Sequence, residues 1–374
     1  MDHNDLIMSS HGSGSSAIVD FIVDIPHGKD IVVLQLTDTQ IIDASQARSP
    51  TRLCAQEKIY WAKDQLEERC FQYLRHVINT VAPDLILLTG DLVYGEFDDS
   101  GSSLIALIEF LESFGIPWAP VFGNHDNESL LGADWQCQQL INSSHCLFAK
   151  RPLNGCGNYT VGLRQDGLLK RVFFMLNSNS YILSKNDPSK RPKVQYGFND
   201  DQIDWYTATV HSIREVSPMT RFSFAFHTQL QSFADAFAKY GFTNHNTNIC
   251  PIEIDSHPDA ASGDFGYLGA NLKNGWDMDR QVWNSLKSLV VDSVFVGHEH
   301  CNSASVVYEG VRCQYGQKSS TYDRANYYNN GKIIGSYTQA GQPIVGGTVI
   351  PLASDGSLLT PYICYATIEP ENNT

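Results

Sequence analysis

Residues 84–94 read DLILLTGDLVY. Asp84–Thr89 is an apolar run that stops at a glycine, and this predicts a short strand buried on both faces. Gly90 turns the chain, and Asp91 and Tyr94 lie just beyond the strand end. The same pattern recurs on either side. Ile31–Thr37 (IVVLQLT) reads as a buried strand that runs into Asp38-Thr39-Gln40. Pro117–Phe122 reads as a third strand, and its two prolines suit a sheet edge or a strand start. It runs into Gly123-Asn124-His125-Asp126. Phe222–Phe226 runs into His227, and Ser293–Val296 into Gly297-His298-Glu299-His300.

Helical patterns separate these strands. They are predicted at Glu57–Val81, Ser102–Phe114, Asp200–Val216 (capped by Asn199 or Asp200), Gln229–Tyr240 and Asp279–Leu289. Leu169–Asn177 reads as a further strand, and the chain beyond about Ala304 as antiparallel strands and loops. Buried strands alternating with helices imply a layered α/β architecture. The polar stretches Asn244–Asn274 and Gln317–Gln342 read as long loops, which are usually functional or mobile. Residues 1–16 end in HGSGSS and read as a flexible tail, and no linker or repeat divides the remainder, 17–374.

The 374 residues carry 26 basic and 41 acidic side chains, a net charge of −15 that excludes a general nucleic-acid-coating role. No apolar run approaches the roughly 18 residues of a membrane span, so no membrane association is expected. The N-terminus lacks a basic start, and its apolar stretch Ala17–Pro26 is interrupted by Asp20 and Asp24. A cytoplasmic protein without a signal peptide is therefore expected. The nine cysteines are scattered, odd in number and free of any CxxC pair, which argues for reduced thiols over disulfides or a zinc ribbon.

In open α/β sheets, ligands bind beyond the carboxyl ends of the strands. Here five strand ends each deliver an Asp, Asn or His, the spread expected of a metal site assembled from loops. Two carboxylates, an amide oxygen and three imidazoles suit Fe, Mn, Zn or Co better than Ca. They are too many for one tetrahedral zinc and enough for two ions sharing a carboxylate.

GDLVY, GNHD, the isolated His227 and GHEH follow, in that order, an Asp on the first strand. Together they resemble the calcineurin-like metallophosphoesterase superfamily across residues 38–300. QIDWY at 202–206 and GVRCQYGQKSS at 310–320 look most like the branch related to purple acid phosphatases. The resemblance implies a single metallophosphoesterase domain over 17–374, a four-layer αββα sandwich of two mixed β-sheets with the metals at the sheet edge. It assigns Asp38 and His300 to a first ion, Asn124, His227 and His298 to a second, and Asp91 to both. His125 would protonate or stabilise the leaving oxygen, with Asp126 or a nearby carbonyl orienting its ring, and a metal-bridging hydroxide would be the nucleophile.

One position departs from the pattern. Most of the superfamily has Asp-x-His on the first strand, and this chain has Asp38-Thr39-Gln40. A purple acid phosphatase also lacks that His and takes a tyrosinate from GDxxY, a pattern that Gly90–Tyr94 fits. We infer that Tyr94 ligates the first metal, favouring Fe(III) paired with a divalent ion. The alternative is that Tyr94 packs beside the site and the first ion is weakly held.

The expected activity is hydrolysis of a phosphomonoester, with a small-molecule phosphate ester as partner. The alternatives are a phosphodiesterase and a metal-poor pseudo-phosphatase that binds phosphorylated ligands. Arg312, Lys318 and Arg324 could supply positive charge to a substrate but read first as solvated loop cations neutral to catalysis, His245 and His257 as candidate pocket residues, and Cys301 as a buried thiol.

Overall fold

The apolar runs identified above become the middle strands of two β-sheets. The computed structural model describes residues 18–43, 45–46, 66–95, 97–179, 181–182, 193–194, 197–241, 252–269, 279–320, 326–329, 332–334 and 342–366. The expected flexible tail at 1–16 lies outside them.

In chain order the main strands are β1 (Phe21–Ile25), β2 (Ile31–Leu36), β3 (Leu85–Thr89), β4 (Trp118–Val121), β5 (Tyr159–Gln165), β6 (Leu168–Met175) and β7 (Arg221–Ala225). They continue as β8 (Ser293–Val296), β9 (Ser305–Tyr308), β10 (Val311–Tyr315), β11 (Gly346–Leu352) and β12 (Tyr362–Tyr365). The main helices are α1 (Leu66–Val81), α2 (Ser102–Glu112), α3 (Gly132–Ile141), α4 (Asp200–Val216), α5 (Gln231–Phe237) and α6 (Asp279–Ser288).

One sheet has five strands in the order β12-β11-β2-β3-β4, and the other seven in the order β1-β5-β6-β7-β8-β10-β9. Both are mixed. β2, β3 and β4 run parallel, while β11 joins β2 antiparallel. The proline-bearing β4 lies at a sheet edge, where a missing backbone N–H costs least.

Strand alternation builds the layers. In β6, Phe173 and Met175 belong to the core between the sheets, while Val172 and Phe174 face the outer core. That outer core includes Tyr206, Val210 and Ile213 of α4 and Val282, Trp283 and Leu286 of α6. Leu74, Val77 and Ile78 of α1 and Leu104, Leu107 and Leu111 of α2 cover the five-stranded sheet. The result is an αββα sandwich.

Arg171, in register with Phe173, points between the sheets. Its guanidinium grips both oxygens of Asp292 at 2.7 Å, and its Nε donates to the Gly356 carbonyl at 2.9 Å, tying the sheets together at the end remote from the candidate site.

The structure refines several expectations. Of the helix expected at Glu57–Val81, only Leu66–Val81 lies within the described residues. The helix expected at Gln229–Tyr240 is α5 followed by a 3₁₀ turn over Ala238–Tyr240. The N-terminal apolar stretch forms edge strand β1, and the two long polar stretches contain short strands, including Ile252–Glu253, Tyr267–Leu268 and Asn326–Asn329. Asn199 caps α4 through a capping box with Gln202.

Candidate metal centre

β2, β3, β4, β7 and β8 all end on one side of the sandwich, and the loops beyond them interlock through their backbones. Asp38 N donates to Gly90 O, Gln40 N to Asp91 O and Gly297 N to His227 O, at 2.9–3.1 Å. Asp38, Gln40, Asp91 and His298 all have positive φ, between 44° and 71°. Non-glycine residues adopt this region at a cost of roughly 1–3 kcal/mol each, and such strain tends to gather at functional sites.

The side chains converge. His227 Nε2 lies 3.3 Å from Asp91 Oδ2, 3.2 Å from Asn124 Oδ1 and 3.3 Å from His298 Nδ1. Ligand atoms of Asp38, Asp91 and His227 all lie within 4.8 Å of one another. His300 Nε2 stands 3.2 Å from Asp38 Oδ1, a buried oxygen with no hydrogen bond. Thr37 Oγ1 and the His298 amide donate to the other Asp38 oxygen. His227 Nδ1 sits 2.8 Å from the Thr89 carbonyl, so Nδ1–H donates there and Nε2 is turned into the cluster.

Glycines make this crowding possible. A Cβ on Gly123 would fall 2.1 Å from Asp91 Oδ1, and one on Gly90 would fall 2.6 Å from His227 Nδ1. Burial works against charge on the His227 ring, but Asp91, Asp38 and the Thr89 carbonyl overcome it and lift its pKa to about 9. Burial also opposes ionisation of Asp91, yet His227 and His125 hold its carboxyl far below the usual range. Burial and the neighbouring His227 charge push the pKa of the His298 ring down to about 3. Oxygen and imidazole donors aimed at one point fit a transition-metal ion.

His125 lies beside this cluster. Its amide donates to Asp91 Oδ1 at 2.8 Å, and its ring stacks on Tyr94 with centroids 4.3 Å apart. The expected orienting role of Asp126 is corrected. Asp126 accepts from the amides of Gly123 and Val93 and so braces the two loops, while His125 Nδ1 meets Glu128 Oε2 at 2.8 Å. The 3₁₀ turn over Asp126–Glu128 brings Glu128 back under the ring, whereas the Asp126 carboxylate turns inward to the amides.

A model of the calcineurin-like phosphoesterases matches residues 31–302. The chain belongs to the calcineurin-like phosphoesterase family. A relative from Arabidopsis thaliana, named "Probable inactive purple acid phosphatase 28", is 33% identical over 70% of this chain. The match spans 65% of that relative's length. "Phosphatase DCR2" of Saccharomyces cerevisiae is 26% identical over 62% of this chain and 38% of its own. Among solved structures, a dimetal phosphatase from Danio rerio aligns over 90% of this chain and 99% of its own, at 12% identity and a TM-score of 0.47.

At this calcineurin-like site Glu128 was not singled out from the sequence, and Lys318 was expected to be solvated. Glu128 stands three positions after His125 in GNHDNE, a spacing that one helical turn closes. Lys318 is fully buried rather than solvated. Its Nζ donates to Gln40 Oε1 at 2.9 Å and to the Asp38 carbonyl at 3.0 Å. Of the other loop candidates, Arg312 bonds the Gly263 carbonyl and Ser305, and His257 packs edge-on to Tyr240. His245 and Arg324 lie outside the described residues.

Proposed function

We propose that this chain is a metal-dependent phosphoesterase that hydrolyses phosphomonoesters. The observation that carries the reading is the convergence of His227 Nε2, Asp91 Oδ2, Asn124 Oδ1 and His298 Nδ1 beside His125. Asn124, His227 and His298 would hold one ion, Asp38, His300 and Tyr94 the other, and Asp91 both. The donors suit Fe, Mn or Zn, and a tyrosinate from Tyr94 would favour Fe(III) with a divalent partner. Bound there, such ions supply Lewis acidity toward phosphoryl oxygens and lower the pKa of water toward neutrality.

The chain's own residues supply the rest. The His125 ring, steadied by Glu128 on one nitrogen and Tyr94 on its face, gives a proton to the departing alkoxide. A placed imidazole of this kind contributes about 10²–10⁴-fold. Small phosphate esters are the substrate class. The monoester preference is tested with metal-reconstituted protein on para-nitrophenyl phosphate and bis(para-nitrophenyl) phosphate. Faster turnover of the monoester is expected, and a diester preference overturns it.

A second reading is a pseudo-phosphatase that binds phosphate esters without turnover. It is favoured by Gln40 Nε2, an atom with no lone pair for a metal, lying 3.2 Å from Asp91 Oδ2. The word "inactive" in the plant relative's name points the same way.

A further inference from the structure

Gln40 stands where most of the family carries an imidazole, and its amide is fixed at both ends. An ammonium has only protons to offer, so the Gln40 atom 2.9 Å from Lys318 Nζ is the carbonyl oxygen. The other end, the amide nitrogen, therefore faces Asp91 Oδ2 at 3.2 Å. The side chain could act as a ligand only through Oε1, and Oε1 is turned away from the shared carboxylate.

Lys318 is itself held in place. Ser319 N donates to the Thr37 carbonyl, Thr37 N to Ser319 Oγ, and Gly346 N to the Lys318 carbonyl, each at 3.0 Å. These bonds clamp the 316–320 segment onto the end of β2 and leave the ammonium buried behind Asp38 and Gln40. A fixed positive charge in a low-dielectric pocket also repels a cation bound in front of it.

We propose that Lys318 is a positioning residue that turns the Gln40 carbonyl away from the first-ion position, so that the chain holds one divalent ion firmly and the other far more weakly. For divalent ions the firm position is Asn124, His227 and His298 with Asp91, and the weak one is that of Asp38, His300 and Tyr94, whose phenolate suits a trivalent ion better than a divalent one. The proposal rests on the reading of a metal-dependent phosphoesterase. It makes Lys318 and Gln40 the determinants of metal stoichiometry.

The test is titration of the metal-stripped full chain with Mn(II), read by equilibrium dialysis and by electron paramagnetic resonance. Wild-type protein is expected to bind one equivalent at least about tenfold more tightly than the next, a gap equivalent to about 1.4 kcal/mol. A mononuclear spectrum should give way to an exchange-coupled one only at excess metal. Lys318→Met should tighten the weak position about tenfold or more, Lys318→Arg should preserve the gap, and Gln40→His should close it. Two equivalents bound alike by the wild type overturn the proposal while leaving the phosphoesterase reading intact. An unchanged gap in Lys318→Met overturns it equally, and if that variant does not fold, an unchanged gap in Gln40→His does so. Failure to bind any ion overturns the phosphoesterase reading itself.

Discussion

His125 Nδ1 lies 2.8 Å from Glu128 Oε2, and both side chains are buried. The contact fixes the ring plane. Truncating His125 to Ala should lower kcat by about 10²–10⁴-fold. Glu128→Gln should lower kcat by about 10–100-fold with little change in KM, because it removes orientation and keeps the ring. Steady-state kinetics on the two variants checks this, and a Glu128→Gln enzyme as fast as wild type would show that the contact is incidental.

Gly123 is pressed against Asp91, whose amide nitrogen would lie 2.4 Å from an added Cβ. That neighbour is backbone and cannot swing aside. Gly123→Ala should cost about 1–3 kcal/mol or more of stability and weaken metal retention as well. Denaturant titration and metal analysis would together expose the error if both match wild type.

Arg171 is fully buried, and Asp292 takes two of its hydrogen bonds. Arg171→Met keeps the aliphatic stem and strands the acceptors. A loss of about 1–3 kcal/mol is expected, since the buried Ser223 hydroxyl and the Gly356 carbonyl lose their donor, while the partly exposed Asp292 can turn to water. An unchanged denaturation midpoint would contradict the role of this residue as the tie between the sheets.

Asp279 accepts from the amide of Gln231, the first residue of α5, and burial lifts its carboxyl pKa to about 6. The unfolded carboxyl titrates near 3.9, so the folded form keeps its proton to higher pH. The sign follows directly: stability from this group is full below about pH 4 and is lost as pH rises through 6. Asp279→Asn keeps an acceptor and cannot ionise. Its stability relative to wild type should improve by about 2 kcal/mol between pH 4 and pH 7.5, and a difference that does not vary with pH would contradict this.

The strands that carry the site were legible because each combines an uninterrupted apolar run with a polar motif at its end. Asp84–Thr89 and Ser293–Val296 are the plainest cases. β1 was not legible, as an edge strand with Asp24 on its exposed side, and β11 was expected only as one of the antiparallel strands beyond Ala304, since its place in the middle of a sheet comes from long-range pairing with β2. That Asp38, Asp91, Asn124, His227, His298 and His300 come close together was expected from their strand-end positions together with the family resemblance. Lys318 was not, because a lysine in a polar stretch reads as solvated until the clamp at Thr37 and Gly346 is seen. Glu128 was overlooked in favour of its nearer neighbour Asp126, since sequence proximity cannot say which carboxylate turns toward a ring.

The most direct test of the central claim is phosphomonoester hydrolysis by chelator-treated protein reloaded with Fe, Mn or Zn, measured beside Asp91→Asn and His125→Ala. Turnover that returns with metal in the wild type, and drops at least about a hundredfold in both variants, is the predicted result. Metal-loaded wild type that turns over no faster than the two variants would contradict it.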